Sequence, residues 1–199
     1  DDLKQSLIKQ LRNLWTHTST AIEGNTLSLG ETAFVLEEGL TVSGKSLKDH
    51  EEVVGHASAI ELIWHYIRRN SGITPEDLFA LHKAVQTERI TDIYKPVGNW
   101  KVEPNGTTVI TDEEQQVFLE YAAPNLVPAL MDHWFEMIND FSQKQLDHEQ
   151  ALTAYAEIHV SFVRIHPFFD GNGRIARLVA NFPIIKSGYP PIIIPTDKR

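Results

Sequence analysis

HPFFDGNGRIAR, residues 166–177, lies between two segments with helical periodicity. Upstream, Leu152, Tyr155, Ile158 and Phe162 recur at helical spacing, and Asp147 with Gln150 three residues on forms a capping-box pattern. This helix should run into His166 and stop, because Pro167 disfavours a helical conformation for the residue before it. Downstream, residues 174–186 read as a second helix. Ile175, Leu178, Val179 and Phe182 are its apolar residues, Gly188 suits the position after its end, and Pro183 disturbs its middle.

The connection Gly171-Asn172-Gly173 lets the backbone turn through conformations closed to most residues, so N–H groups can converge where the second helix begins. Unpaired N–H groups and the positive end of a helix dipole make a phosphate site. Arg174 and Arg177, three residues apart on one face, can hold further phosphate oxygens with their guanidinium forks. Asp170, just before the glycines, can bind Mg²⁺, a hard cation usually shared between one or two carboxylates and substrate phosphates. His166 stands at the other lip with a side chain that titrates near neutrality, as a general base should. Taken alone, His166 reads equally as a helix-ending residue and Asp170 as a turn former. The GNGR string is no P-loop, since no Gly-Lys-Ser/Thr follows it.

The stretch resembles the motif of the Fic family, HPF-x-[D/N]-GNGR-x-x-R, at every defined position. A second resemblance lies far upstream. Residues 19–25, STAIEGN, are similar to the inhibitory motif [S/T]-x-x-x-E-[G/N] of Fic proteins that carry an inhibitory helix ahead of the domain. The resemblance implies an all-α fold, a Fic-type helical bundle with a small β-hairpin called the flap. It divides the chain into an N-terminal helix bearing the inhibitory motif, residues 1–27, and a Fic core, residues 28–199, without the C-terminal continuation that usually closes the adenine pocket.

At 199 residues and 42% hydrophobic content the chain can bury one substantial core. No apolar run approaches the roughly 18 residues that cross a bilayer, and DDLKQSLIKQ is neither basic nor continuously apolar, so neither a membrane span nor a secretory leader is expected and a cytoplasmic location is. The absence of cysteine excludes disulfides and thiolate chemistry. A formal charge of −9 with no basic block argues against broad binding to nucleic acid or anionic membrane. Phosphate binding must then rest on local donors at Arg174, Arg177 and the helix start.

Residues 3–22 read as a helix with Leu3, Leu7, Leu11, Leu14 and Trp15 as its apolar stripe and Gly24-Asn25 as its stop. Glu23 falls at its last turn, where the dipole disfavours an acid, so either a cation arrives from elsewhere or the carboxylate is simply solvated. In the family this glutamate pairs with the second motif arginine, here Arg177, and blocks the productive pose of the γ-phosphate. Ser28 with Glu31, Ser46 with Asp49, and Thr74-Pro75-Glu76 mark further helix starts. His50, His56, His65 and His82 are scattered through these helices and read as packing or surface residues. Trp100-Lys101-Val102 and the run Thr107, Thr108, Val109, Ile110 read as two strands around an Asn105-Gly106 turn. The resemblance makes them the flap, which clamps a target segment by main-chain pairing. From Pro124, with Asn125 as a cap, a helix is expected through residue 141, with Leu130, Trp134, Phe135 and Ile138 facing the core.

Fic proteins mostly transfer AMP from ATP to a Ser, Thr or Tyr hydroxyl of a target protein. By that resemblance His166 is the base, Asp170 the Mg²⁺ ligand, Gly171, Asn172, Gly173 and Arg174 the holders of phosphate, and Arg177 the guide of the γ-phosphate. Self-modification is expected, and some family members also remove AMP with the same glutamate. Two other readings stay open: transfer of a different phosphate-containing group, and a nucleotide-binding interaction module without catalysis. A homodimer is compatible with the family, and the sequence does not decide it.

Overall fold

The computed structural model describes residues 2–69, 71–87, 92–111 and 114–198. Helices α1 (Asp2–Ile22), α2 (Leu29–Glu38), α3 (Leu47–Arg69) and α4 (Pro75–Val85) lead to an antiparallel hairpin, β1 (Gly106–Ile110) and β2 (Gln116–Glu120). A 3₁₀ turn at Pro124–Leu126 then opens α5 (Val127–Ser142), followed by α6 (His148–Ile165), α7 (Asn172–Val179) and α8 (Phe182–Lys186). The fold is the all-α bundle with a small hairpin that the sequence implies.

Local chemistry sets most boundaries. Ser28 with Glu31, Thr74 with Asp77 and Asp147 with Gln150 each close a reciprocal capping box, so two otherwise unbonded N–H groups are satisfied at the start of α2, α4 and α6. Ser46 Oγ accepts from the Asp49 N–H at the start of α3. At α5 the expected cap is absent: the N-cap position is Leu126, without a side-chain hydrogen bond, and Asn125 lies inside the preceding 3₁₀ turn. Pro124 and Pro128 can hold these first turns because neither position needs an N–H.

The short helix α7 packs against α1, α3, α4 and α6. Ile175, Ala176, Leu178 and Val179 are fully enclosed and join Phe162, Phe168, Ile60, Ile63 and Ile158 in the main core. A single helix over residues 174–186 was expected. Instead α7 starts two residues earlier and ends at Val179, and α8 restarts at Phe182. Pro183 in the first turn of α8 has no N–H for a continuous ladder, so the break falls just ahead of it. Asn181 fills the break. Its amide donates to the carbonyls of Arg177 (3.0 Å) and Ile192 (2.9 Å), and its oxygen accepts from the Ile192 N–H (2.6 Å).

Three further expectations need correction. The leucine stripe of α1 is largely outside: Leu3, Leu7 and Leu14 are exposed, while Trp15, Thr16, Ser19, Thr20 and Ile22 are buried. The buried face mixes Trp15 and Ile22 with small polar residues, of which Ser19 meets Arg177 of α7, as shown below. Leu130 and Leu152 also face outward rather than into the core. The hairpin pairs Thr107 with Leu119 and Ile110 with Gln116, so Gly106 begins its first strand and its strands are not joined at Asn105-Gly106. Lys101 lies in no strand, and its N–H is taken by the Pro167 carbonyl at 2.9 Å. Asn105 is spent on tertiary bonds, and the hairpin begins after it.

Asn181→Ala should lower stability by about 1–3 kcal/mol, since it strands buried backbone groups of Arg177 and Ile192. Urea denaturation of both proteins measures this; an unchanged midpoint would contradict it.

Candidate active site

The site forms where α6 ends and α7 begins. His166 closes α6 in the left-handed conformation, φ 53° and ψ 59°, with its N–H bonded to the Phe162 carbonyl at 2.9 Å. A non-glycine residue there is strained, and the following Pro167 helps hold it out of the helix. Phe168 is fully buried, its ring stacked on His82 at 4.0 Å and close to Trp100, Phe79 and Phe162. It anchors the loop in the core. Phe169, without a role in the sequence reading, has Lys95 Nζ over its ring at 4.8 Å.

Gly171 takes φ 79° at the start of α7, and a Cβ there would stand 3.0 Å from Gln86 Nε2, so the turn requires glycine. The side chain of Asn172 faces inward and braces the loop on itself: it accepts from the Phe168 N–H (3.0 Å) and donates to the Phe168 carbonyl (2.8 Å). Its backbone, with those of Gly173 and Arg174, supplies the first N–H groups of the helix, which have no carbonyl a turn earlier to bind.

Both arginines are buried. Arg174 donates to the Val85 carbonyl at 3.0 Å and lies 3.3 Å from Asp170 Oδ2 and 3.9 Å from Glu52 Oε1. Arg177 donates from Nη2 to Glu23 Oε1 at 2.6 Å and to the Ser19 carbonyl at 2.9 Å, and from Nε to Ser19 Oγ at 3.0 Å. Glu23 thus has the cation that its place at the end of α1 called for. Its carboxylate leans over the first turn of α7, since a Cβ on Gly173 would sit 2.6 Å from Glu23 Oε1. A carboxylate there occupies the end of the helix that favours anions. Just beyond it, Asn25 donates to Glu52 Oε2 (2.8 Å) and to the Asp49 carbonyl (2.9 Å), which secures the end of α1 to α3.

Imidazoles surround this pair of cations. His56 is wholly buried, and burial first, then Arg177 and Arg174, push its pKa down to about 3. Burial likewise lowers His82, to about 4, and its Nδ1 accepts from the Gly98 N–H at 2.9 Å. These two histidines are packing residues, as the sequence reading has it. For His166, burial lowers the pKa while its contact with the Val163 carbonyl opposes the shift. The Nδ1 to carbonyl distance is 3.2 Å, and a carbonyl only accepts, so Nδ1 carries the proton and Nε2 is left as the basic atom.

Asp170 is largely exposed at the mouth. Among the described residues no three His, Cys, Asp or Glu side chains are grouped for a metal. Thr107, Thr108, Val109 and Ile110 all lie in β1, which pairs with β2 alone among the described residues and presents an outer edge.

Sequence reasoning missed Ser19 as a ligand of Arg177 and Glu52 as a neighbour of Arg174. Ser19 carried a signal, as the first position of the upstream motif. Glu52 carried none, because only packing brings it to the loop.

The site is thus a helix–turn–helix corner, with His166 at one lip and the start of α7, Arg174 and Arg177 at the other. The Fic/DOC family model matches residues 72–184, and the chain belongs to that family. It is 34% identical over 97% of its length to protein adenylyltransferase fic-1 of Caenorhabditis briggsae, and 33% identical over 91% to protein adenylyltransferase Fic of Drosophila persimilis. The chain spans about a third of the length of these relatives, 36% and 33%. A Fic domain containing signaling protein from Bacteroides thetaiotaomicron superposes with a TM-score of 0.82 at 34% identity, covering 98% of this chain and 70% of that one. Fic-1 of Caenorhabditis elegans gives 0.71 at 30%, covering 93% and 51%. No helix among the described residues is long and apolar enough to cross a membrane.

His56 offers a pH test. Its ordinary value is 6.5, so the unfolded chain takes up a proton below that pH while the folded chain stays neutral to about 3. This contribution to stability is complete above the unfolded value and falls as the pH drops through that window, by about 1.4 kcal/mol per unit. His56→Gln should flatten the loss between pH 6.5 and 4 in urea titrations; equal slopes in both proteins would contradict the assignment.

Proposed function

We propose that the chain is a protein adenylyltransferase that uses ATP and is held in check by Glu23. The observation that carries this is the joint geometry of His166, the start of α7 and the Glu23–Arg177 pair. A general base is set apart from an anion cradle, and a carboxylate rests inside that cradle. The relatives named protein adenylyltransferase support the same reading.

In the reaction, Nε2 of His166 accepts the proton of a Ser, Thr or Tyr hydroxyl as that oxygen bonds to the α-phosphorus of ATP. The bond from the α-phosphorus to the oxygen bridging the α- and β-phosphates breaks, and pyrophosphate leaves. The N–H groups of Gly171, Asn172 and Gly173 and the guanidinium of Arg174 neutralise charge on the phosphates, so catalysis is positioning and electrostatics. To reach them, Arg174 turns from its bond with Asp170. The outer edge of the hairpin at Thr107, Thr108, Val109 and Ile110 receives the target segment in extended form, which fixes geometry while tolerating varied side chains.

Asp170 fits Mg²⁺ in one way. A single exposed carboxylate without neighbouring ligands is too little for a closed protein site, but suits a cation shared with substrate phosphates. When bound, Mg²⁺ supplies positive charge to the triphosphate. Arg177 is meant for the γ-phosphate, and Glu23 holds it instead. Because the Glu23 carboxylate also leans over Gly173, it is placed to orient water toward a phosphorus, which favours AMP removal from modified protein as a second activity of the resting form.

Incubation with Mg-ATP and mass spectrometry of peptides should reveal AMP on hydroxyl side chains, the chain's own included. Glu23→Gly should raise the rate by about tenfold or more, His166→Ala should lower it by about 10²–10⁴-fold, and chelation of Mg²⁺ should stop it. A phosphate adduct in place of AMP, or no adduct from any variant, would overturn the reading.

A further inference from the structure

The residues that flank the hairpin are bonded to each other and to the motif loop. Asn105 immediately precedes β1, Tyr121 immediately follows β2, and the Tyr121 N–H donates to the Asn105 carbonyl at 3.0 Å. The Asn105 amide donates to the Phe168 carbonyl at 3.0 Å and accepts from Lys101 Nζ at 2.6 Å, while the Lys101 N–H donates to the Pro167 carbonyl at 2.9 Å. The root of the hairpin is therefore pinned to the two carbonyls that follow the base. From that root the Tyr121 ring lies flat on the His166 imidazole, with centroids 3.8 Å apart and planes 1° from parallel.

One hydrogen bond, from Nδ1 to Val163, leaves an imidazole free to rock about it. A flat aromatic contact on its face removes that freedom. We propose that Tyr121 is a positioning residue for the base: its ring sets the plane of the His166 imidazole, so that Nε2 aims at the hydroxyl delivered along the hairpin. Through Asn105, the seating of the hairpin on the loop and the aim of the base become one adjustment. The contact also strengthens as the reaction proceeds. Once His166 has taken the proton, a cation lies over an aromatic face, an attraction absent in the neutral ground state. What Nε2 does rests on the adenylyl-transfer reading; how its ring is held does not.

The test compares Tyr121→Phe, Tyr121→Leu and Tyr121→Ala in the Glu23→Gly chain, with circular dichroism verifying the fold of each. Loss of the aromatic face in the Leu and Ala variants should lower kcat by about 10²-fold, with KM for ATP changed less than about twofold, and the Phe variant should recover most of the rate. Independently of activity, the carbon-bound imidazole protons of His166 should show an upfield ring-current shift in proton NMR of the parent and the Phe variant, and lose it in the Leu variant. A Leu variant with parental kcat, or a parent without the ring-current shift, overturns the proposal. A parent that transfers no AMP yet shows the shift overturns the adenylyl-transfer reading and leaves the positioning of the ring standing.

Discussion

Two guanidinium groups one turn apart on a helix enclosed by four others must each find acceptors, because a buried charge left unpaired is costly. Much of the surrounding structure answers that demand. Glu23 and both the hydroxyl and carbonyl of Ser19 take Arg177, and the Val85 carbonyl, Asp170 and Glu52 take Arg174. This explains why Ser19 of α1 faces inward beside Trp15 and Ile22. It also explains why His56, close to both cations, is held neutral.

The groups that compensate the arginines are protein carboxylates and carbonyls, and under the proposed function a triphosphate at the start of α7 competes with them for the same donors. Glu23 is half solvated while Arg177 is buried, so the carboxylate is the member of the pair more easily displaced. The other lip is built differently. Its imidazole hangs from a strained helix end and is held by a carbonyl on one side and an aromatic face on the other. One lip is thus organised by charge and the other by stacking, with the rigid Phe168 anchor between them.

The elements whose ends are written in short-range chemistry were legible: the capping boxes of α2 and α6, the Thr74-Pro75 start of α4, the halt at His166 and the turn at Gly171. The hairpin was legible as an element but not in register. Asn105-Gly106 carries the local signature of a tight turn, yet the Phe168 carbonyl and Lys101 claim the Asn105 side chain, and Gly106 opens the first strand instead. The α1 stripe misled for a related reason. Periodicity identifies a face, but whether that face meets apolar core or buried arginine depends on what packs against it.

From its sequence alone this chain had already settled its family, its helical class and the order of base, carboxylate, glycine turn and arginines, because these depend on residues adjacent along the chain. The family resemblance already paired Glu23 with Arg177, but only the folded bundle decided that Ser19 joins them across more than 150 positions, that Glu52 backs Arg174, and that Tyr121 lies on His166. Contacts between residues so far apart arise from packing, and packing leaves no periodic or local mark by which a reader of the sequence can find them.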